Sequence, residues 1–317
     1  KINQSKKPLI LIGGGARSAK LSLVKLIEKL ECPLISTINA RDIIGLHRLH
    51  IPASPTLAPV REVITNSDLV IAVGTEIGQT DYDMFEDGLF PQLDNLIRVD
   101  VDQKQLNQSP PSSLKLQCDA GTFCNKIIPH IEKRMASGSE RITNTCNETV
   151  KYQLSKDYKS IQLFIETIVN NAPNAIIVGD SPQPTYVGNL YCELSKNNRW
   201  FNSATGFGTL GYAIPASLGA KFGAPEKHVI CIIGDGGFQF TLTELGVARD
   251  ENINVFFIVW NNQEYKEIRM YMESHRIHPI GTSPKPPELG LIATSYGIHY
   301  QKPKSVKELS ELLLEFK

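Results

Sequence analysis

The 317-residue chain has no surplus of either charge: 33 Lys and Arg stand against 33 Asp and Glu. Proteins that hold nucleic acid or an anionic membrane surface draw their affinity from a basic excess, so neither partner is expected. No apolar run approaches the roughly 20 residues that span a bilayer. The opening Lys1-Ile2-Asn3-Gln4-Ser5-Lys6-Lys7 has no apolar signal core and no initiator Met. A cytoplasmic protein is expected, and this chain is expected to be a piece of it. Cysteine is sparse and scattered (Cys32, Cys118, Cys124, Cys146, Cys192, Cys231), with no CxxC pair. That excludes a zinc framework or dithiol motif and predicts reduced, inert thiols. His47, His50, His130, His228 and His299 lack ligand spacing, His275 and His278 after the last strand read as a solvated helix end rather than part of an active-site mouth, and there is no repeat or low-complexity tract. What remains is 41% hydrophobic and 21% charged, a globular composition long enough for two domains.

Strands and helices alternate along both halves. Pro8–Ile12 is a buried-type strand running into Gly13-Gly14-Gly15, followed by a helix with Leu23, Val24, Ile27 and Leu30 on one face. Pro33–Thr37, Leu69–Gly74 and Leu96–Asp102 read as further strands, and Val60–Ser67 as a helix. Residues 136–148 are rich in Ser, Thr, Asn and Gly without an apolar period, which predicts a linker. After it come a helix through Ile161, Phe164, Ile165 and Ile168, a strand at Ala175–Asp180, and a C-terminal helix opened by a Ser305/Glu308 capping box. The expected fold is α/β, with two doubly wound parallel-sheet domains. Boundaries fall at 1–135, a linker over 136–155, and 156–317.

The densest information lies between His228 and Asn262. A β-branched run, Val229–Ile233, stops at Gly234-Asp235-Gly236, and a second strand, Val255–Trp260, stops at Asn261-Asn262. In a parallel sheet both strand ends open on one edge, where ligands of open α/β folds bind. A carboxylate and a carboxamide suit Mg²⁺, which also holds phosphate oxygens. The glycines leave backbone N–H groups open to an anion. This predicts a Mg-diphosphate site.

GDG, 24 intervening residues and NN, together with Gly208-Thr209-Leu210-Gly211 upstream, resemble the signature of thiamine-diphosphate (ThDP) enzymes. The resemblance implies a Rossmann-like middle domain and a ThDP diphosphate-binding domain. It implies Mg²⁺ held by Asp235, Asn262 and the Glu264 carbonyl. The family often has Gly where Glu264 stands, which puts the turn there in question, since other residues resist positive φ. Gly234, Gly236 and Gly237 would face the diphosphate. Leu210 would prop the cofactor into a bent form, the Gly208 carbonyl and Leu210 amide would hold the aminopyrimidine edge, and Thr209 completes the turn. Ser181 and Gln183, in the loop after the 175–180 strand, would donate hydrogen bonds beside the diphosphate. The glutamate that activates the ring sits, in this family, in a pyrimidine-binding domain that would precede Lys1. No catalytic residue is assigned here, and a homodimer or homotetramer is implied.

The overall flow is similar to acetolactate-synthase-like members, which decarboxylate a 2-oxo acid and ligate the product to a second carbonyl. Two segments depart from that pattern. Leu46-His47-Arg48 and Pro52-Ala53-Ser54 stand where a GMHG-type segment is expected, and Gly74–Asp83 replaces an arginine-bearing loop. That loop, with Ile38-Asn39-Ala40, resembles 5-guanidino-2-oxopentanoate decarboxylases. Glu76, Asp81, Asp83, Glu86 and Asp87 make the stretch acidic, and Arg17 is the one cation near the Gly13–Gly15 turn, so FAD is not expected. A non-catalytic Rossmann-type nucleotide-binding module is the rival reading, resting on Gly13–Gly15 alone.

Overall fold

The computed structural model describes residues 1–82, 90–108, 110–133, 137–152, 156–194 and 198–316. Asp83, Glu86 and Asp87 of the acidic stretch lie outside them. The chain forms two compact units, each α/β with its own parallel sheet.

The first unit takes Lys1–Lys156 and Asn189–Lys196. Its strands are β1 (Pro8–Ile12), β2 (Leu34–Ser36), β3 (His50–Ile51), β4 (Leu69–Val73), β5 (Leu96–Asp100) and β6 (Leu114–Gln117), ordered β3-β2-β1-β4-β5-β6. That is the order of dinucleotide-binding folds, with its switch point between β1 and β4. Every residue of β1 and β4 is buried, as expected of central parallel strands covered on both faces. The helix Lys20–Leu30 buries Leu23, Leu26, Ile27 and Leu30. Val24, expected on the same face, is partly buried against this core, and Leu26 joins the face unforeseen.

The expected linker is corrected over most of its length. Gly138–Tyr152 is a helix; residues 136 and 153–155 are not among those described. Ile142, Thr145 and Thr149 are buried at i, i+3 and i+7. Threonine has a methyl group to pack, and Thr145 returns its hydroxyl to the Arg141 carbonyl at 2.7 Å, so residues polar by letter build an apolar face. Arg141 then ties the helix to the sheet, donating to the Pro8 carbonyl at 2.8 Å. A second unforeseen feature is the return of residues near 190 to this unit. Ser54 N–H donates to the Leu190 carbonyl at 2.7 Å, and the buried Arg41 guanidinium donates to the Pro52 and Asn189 carbonyls at 2.8 and 3.0 Å.

The second unit takes Asp157–Gly188 and Asn197–Lys317. Its strands are β7 (Ile176–Gly179), β8 (Arg199–Asn202), β9 (Val229–Gly234) and β10 (Phe256–Trp260), all parallel in the order β10-β9-β7-β8. Gly179 lies level with Asn202 and Ile232, and Gly234 with Trp260, so four strand ends open together on one edge. β9 is buried through Ile233, whereas β10, an edge strand here, is half-buried throughout. The helix Val306–Glu315 closes against it: Ser305 Oγ accepts the Glu308 N–H at 3.2 Å, and the Phe316 ring meets Phe256 at 5.1 Å.

Candidate functional site

β9 ends at Gly234 and hands the chain directly to a short helix, Asp235–Thr241. Asp235 is therefore held in the backbone at the sheet edge, only 1% exposed. Burial pushes its carboxyl up from the usual carboxylate range, opposed by backbone N–H groups that include those of Asn262 and Gly236. Its Oδ2 is buried without a hydrogen-bond partner among the described residues. Such an atom is costly unless something positive meets it.

The neighbouring strand brings the answer to that charge. The Asn262 carboxamide ends 2.8 Å from the Glu264 carbonyl oxygen and 3.2 Å from Asp235 Oδ1. With its nitrogen turned inward, the amide donates to both. With its oxygen turned inward, three acceptors converge at spacings close to the ~3 Å edge of an octahedron with metal–oxygen bonds of about 2.1 Å. The donor set, one carboxylate, one amide and one carbonyl, is a hard-cation set. The residues present fit Mg²⁺.

The turn after β10 is built differently from the sequence expectation. The left-handed residue is Gln263, with φ +58°, and not Glu264. One strained position carries the reversal and leaves Glu264 free to aim its carbonyl back at Asn262. The Glu264 carboxylate is taken by Arg269, whose Nε donates at 2.7 Å and whose second guanidinium nitrogen donates at 3.2 Å. Next in sequence, Tyr265 is fixed by its N–H donating to the Thr282 carbonyl at 2.7 Å. Its ring lies across Gly236, where a Cβ would stand 2.2 Å from Cε1, so only glycine fits.

Opposite stands the turn from Gly208 to Gly211, with φ +65° and +83° at its two glycines. It is anchored by a residue that the sequence reading passed over. Asp180, fully buried at the end of β7, accepts the Gly211 and Tyr212 N–H groups at 3.0 and 3.2 Å. Burial pushes its carboxyl up to about 6, against those two hydrogen bonds. Thr241 Oγ1 holds the other side of the same residue, donating to the Gly211 carbonyl at 2.8 Å. A carboxylate following a buried strand was the available signal; its partners lie some thirty residues on, beyond any local pattern.

These elements enclose a cleft of about 210 Å³. Ser181, Gln183, Gly208, Leu210, Gly234, Gly236 and Gly237 line it, as do Asp235, Asn262 and Glu264. Thr209 is exposed and is not on its wall. Ser181 Oγ is shared with Ser203 Oγ at 2.9 Å. Tyr186, Tyr265 and Glu267 also face the cleft and were not anticipated.

The glycine turn of the first unit is a different structure. A Cβ on Gly13 would stand 2.2 Å from the Gly74 carbonyl oxygen, and Gly15 N–H donates to that oxygen at 3.1 Å. These glycines serve close packing between the ends of β1 and β4. Arg17 is spent in a bidentate pair with Asp42, 2.9 Å at each contact. Asp81, counted among the acids of the loop, is turned inward and accepts the Ile38 N–H at 3.0 Å.

Comparison with known proteins agrees with this geometry. Residues 180–317 match the thiamine pyrophosphate enzyme C-terminal TPP-binding domain, and residues 1–127 match the central domain of the same enzymes. A probable 2-ketoarginine decarboxylase of Pseudomonas aeruginosa is 31% identical over 312 residues, 96% of this chain and 55% of that protein. An acetolactate synthase large subunit of Buchnera aphidicola (from Schizaphis graminum) is 26% identical over 336 residues, 98% of this chain and 56% of that one. The chain thus spans about half the length of the curated relatives it matches. Two adjoining family domains, in family order and with the glycine, aspartate and asparagine signature in place, leave one assignment: this chain belongs to the thiamine pyrophosphate enzymes.

Proposed function

We propose that the chain supplies the central and diphosphate-binding domains of a Mg²⁺- and ThDP-dependent enzyme that decarboxylates a 2-oxo acid. The observation that carries this is the convergence of Asp235, Asn262 and the Glu264 carbonyl beside an unpartnered buried carboxylate oxygen. These three would hold Mg²⁺. Gly234, Gly236 and Gly237 would let the diphosphate approach the backbone, with Ser181 and Gln183 beside it. Leu210, on a turn clamped by Asp180, would support the cofactor from the opposite wall, with the Gly208 carbonyl and Leu210 amide on its pyrimidine edge. When bound, ThDP supplies the electron sink for loss of carbon dioxide. The protein's part is to position it and to exclude water.

Ligation of the product to a second carbonyl follows in acetolactate synthases. The similarity to a named 2-ketoarginine decarboxylase favours decarboxylation alone, on a 5-guanidino-2-oxopentanoate-type acid. A homodimer or homotetramer is supported by exposed Phe207, Tyr212 and Phe240 around the Leu210 turn, an apolar patch suited to a partner domain. A cytoplasmic protein is consistent with the described residues, where no helix is long and apolar enough to cross a membrane.

Carbon dioxide release from 2-oxo acids tests the reading. The intact gene product is expected to require both ThDP and Mg²⁺. This 317-residue chain by itself is expected to release none, because it matches only the central and TPP-binding domains and spans about half the length of its relatives, and in this family the ring-activating glutamate belongs to a pyrimidine-binding domain. Release by the chain alone would refute the division of labour. A flavin cofactor is not expected in the first unit: Arg17, the cation nearest the Gly13–Gly15 turn in sequence, is paired to Asp42 and is not free to meet a dianionic diphosphate. The visible spectrum of the purified intact protein checks this, and a stoichiometric flavin band would overturn it.

A further inference from the structure

Four carboxylates line the cleft, and three of them are engaged. Asp180 holds two backbone N–H groups, Asp235 meets Asn262, and Glu264 is paired with Arg269. Glu267 is different. It sits half-buried on the wall, with no hydrogen bond or ion pair among the described residues. Lys266 lines the same cleft, but consecutive residues on a helix point away from each other, and no pair forms between them. Around Glu267 the structure puts phenols. Tyr186 and Tyr265 share the cleft wall with it.

A carboxylate that gives up part of its hydration without a partner loses free energy that a bound cation restores. Aromatic side chains alongside favour a flat, weakly hydrated cation over a compact ammonium. We infer that Glu267, on a wall it shares with Tyr186 and Tyr265, is the specificity-determining residue of this cleft and selects 2-oxo acids that carry a guanidinium at their far end. The inference rests on the decarboxylase reading above and adds to it the residue that chooses the substrate. Lys266, with no hydrogen bond or ion pair among the described residues, lines the same cleft and is available to the carboxylate end of such an acid.

The test compares two substrates on the intact holoenzyme: 5-guanidino-2-oxopentanoate and 2-oxopentanoate, its analogue without the cation. The wild-type enzyme is expected to favour the cationic acid in kcat/KM. Glu267→Gln keeps the side-chain shape and is expected to reduce that preference about ten- to hundredfold, chiefly through KM for the cationic acid. Glu267→Asp is expected to retain part of it, and Glu267→Lys to shift preference toward an acid with a distal carboxylate, 2-oxoglutarate. Unaltered ThDP affinity in each variant separates substrate selection from damage to the cofactor site. If the holoenzyme decarboxylates both acids equally, or the ratio is unmoved in Glu267→Gln, the assignment of Glu267 fails while the decarboxylase reading stands. If neither acid releases carbon dioxide, the decarboxylase reading fails and this inference falls with it.

Discussion

Asp235→Asn is expected to move binding and stability in opposite directions. ThDP affinity in the presence of Mg²⁺ should fall at least about a hundredfold, since even outer partners of a metal ligand are worth 10- to 100-fold. The cofactor-free protein should become more stable, by about 1 kcal/mol or more. The wild-type carboxylate is buried, displaced upward in pKa, and carries an oxygen with no partner. The amide removes that charge and can meet the Asn262 and Glu264 oxygens directly. Quenching of Trp260, which lines the cleft, reports binding, and urea unfolding of the cofactor-free protein reports stability. A variant that binds ThDP normally, or that is destabilised without cofactor, would contradict the metal-ligand role.

Asp180→Ala is expected to act at a distance. It leaves the Gly211 and Tyr212 N–H groups without their acceptor and unpins the Leu210 turn. Loss of two hydrogen bonds to a charged acceptor, offset by relief of its burial, should cost about 2 kcal/mol at pH 7.5 and weaken ThDP binding roughly tenfold or more. The pH dependence has a definite sign. The folded-state pKa is about 6 against 3.8 for the free carboxyl. Between those values the folded protein binds the extra proton, so this group adds stability at low pH and loses it as pH rises through about 6. The wild-type advantage over Asp180→Ala should therefore widen, by on the order of 2 kcal/mol, between pH 7.5 and pH 4.5. Denaturant midpoints at the two pH values measure this. A gap that narrows toward acid would mean that burial does not dominate the Asp180 carboxyl as described.

Which features the sequence disclosed follows from where each lies in the sheets. β1, β4 and β9 are central strands covered on both faces, so they read as unbroken apolar runs with glycine at the end. β3 is two residues long, β6 is an exposed edge carrying Lys115 and Gln117, and β8 begins with Arg199 and ends with Asn202; none has a run to detect. The helix Gly138–Tyr152 was masked because its packing face uses threonine.

The site divides along the same line. Asp235 and Asn262 were visible because adjacent parallel strands place their ends side by side, so local sequence is enough. Asp180, Tyr265 and Glu267 needed the third dimension. Asp180 depends on a turn far along the chain, Tyr265 on a close approach to Gly236, and Glu267 on the lack of a partner, which no sequence records. The left-handed residue of the turn, Gln263, lies one position before Glu264, where the family's glycine is expected.

The central claim is that the Asp235, Asn262 and Glu264 oxygens form a cation site through which the diphosphate is held. Calorimetric titration of ThDP into the intact protein, once with Mg²⁺ and once with excess EDTA, tests it most directly. A saturable isotherm near one ThDP per chain with Mg²⁺, and no measurable binding with EDTA, is the predicted result. Equal affinity under both conditions would contradict it.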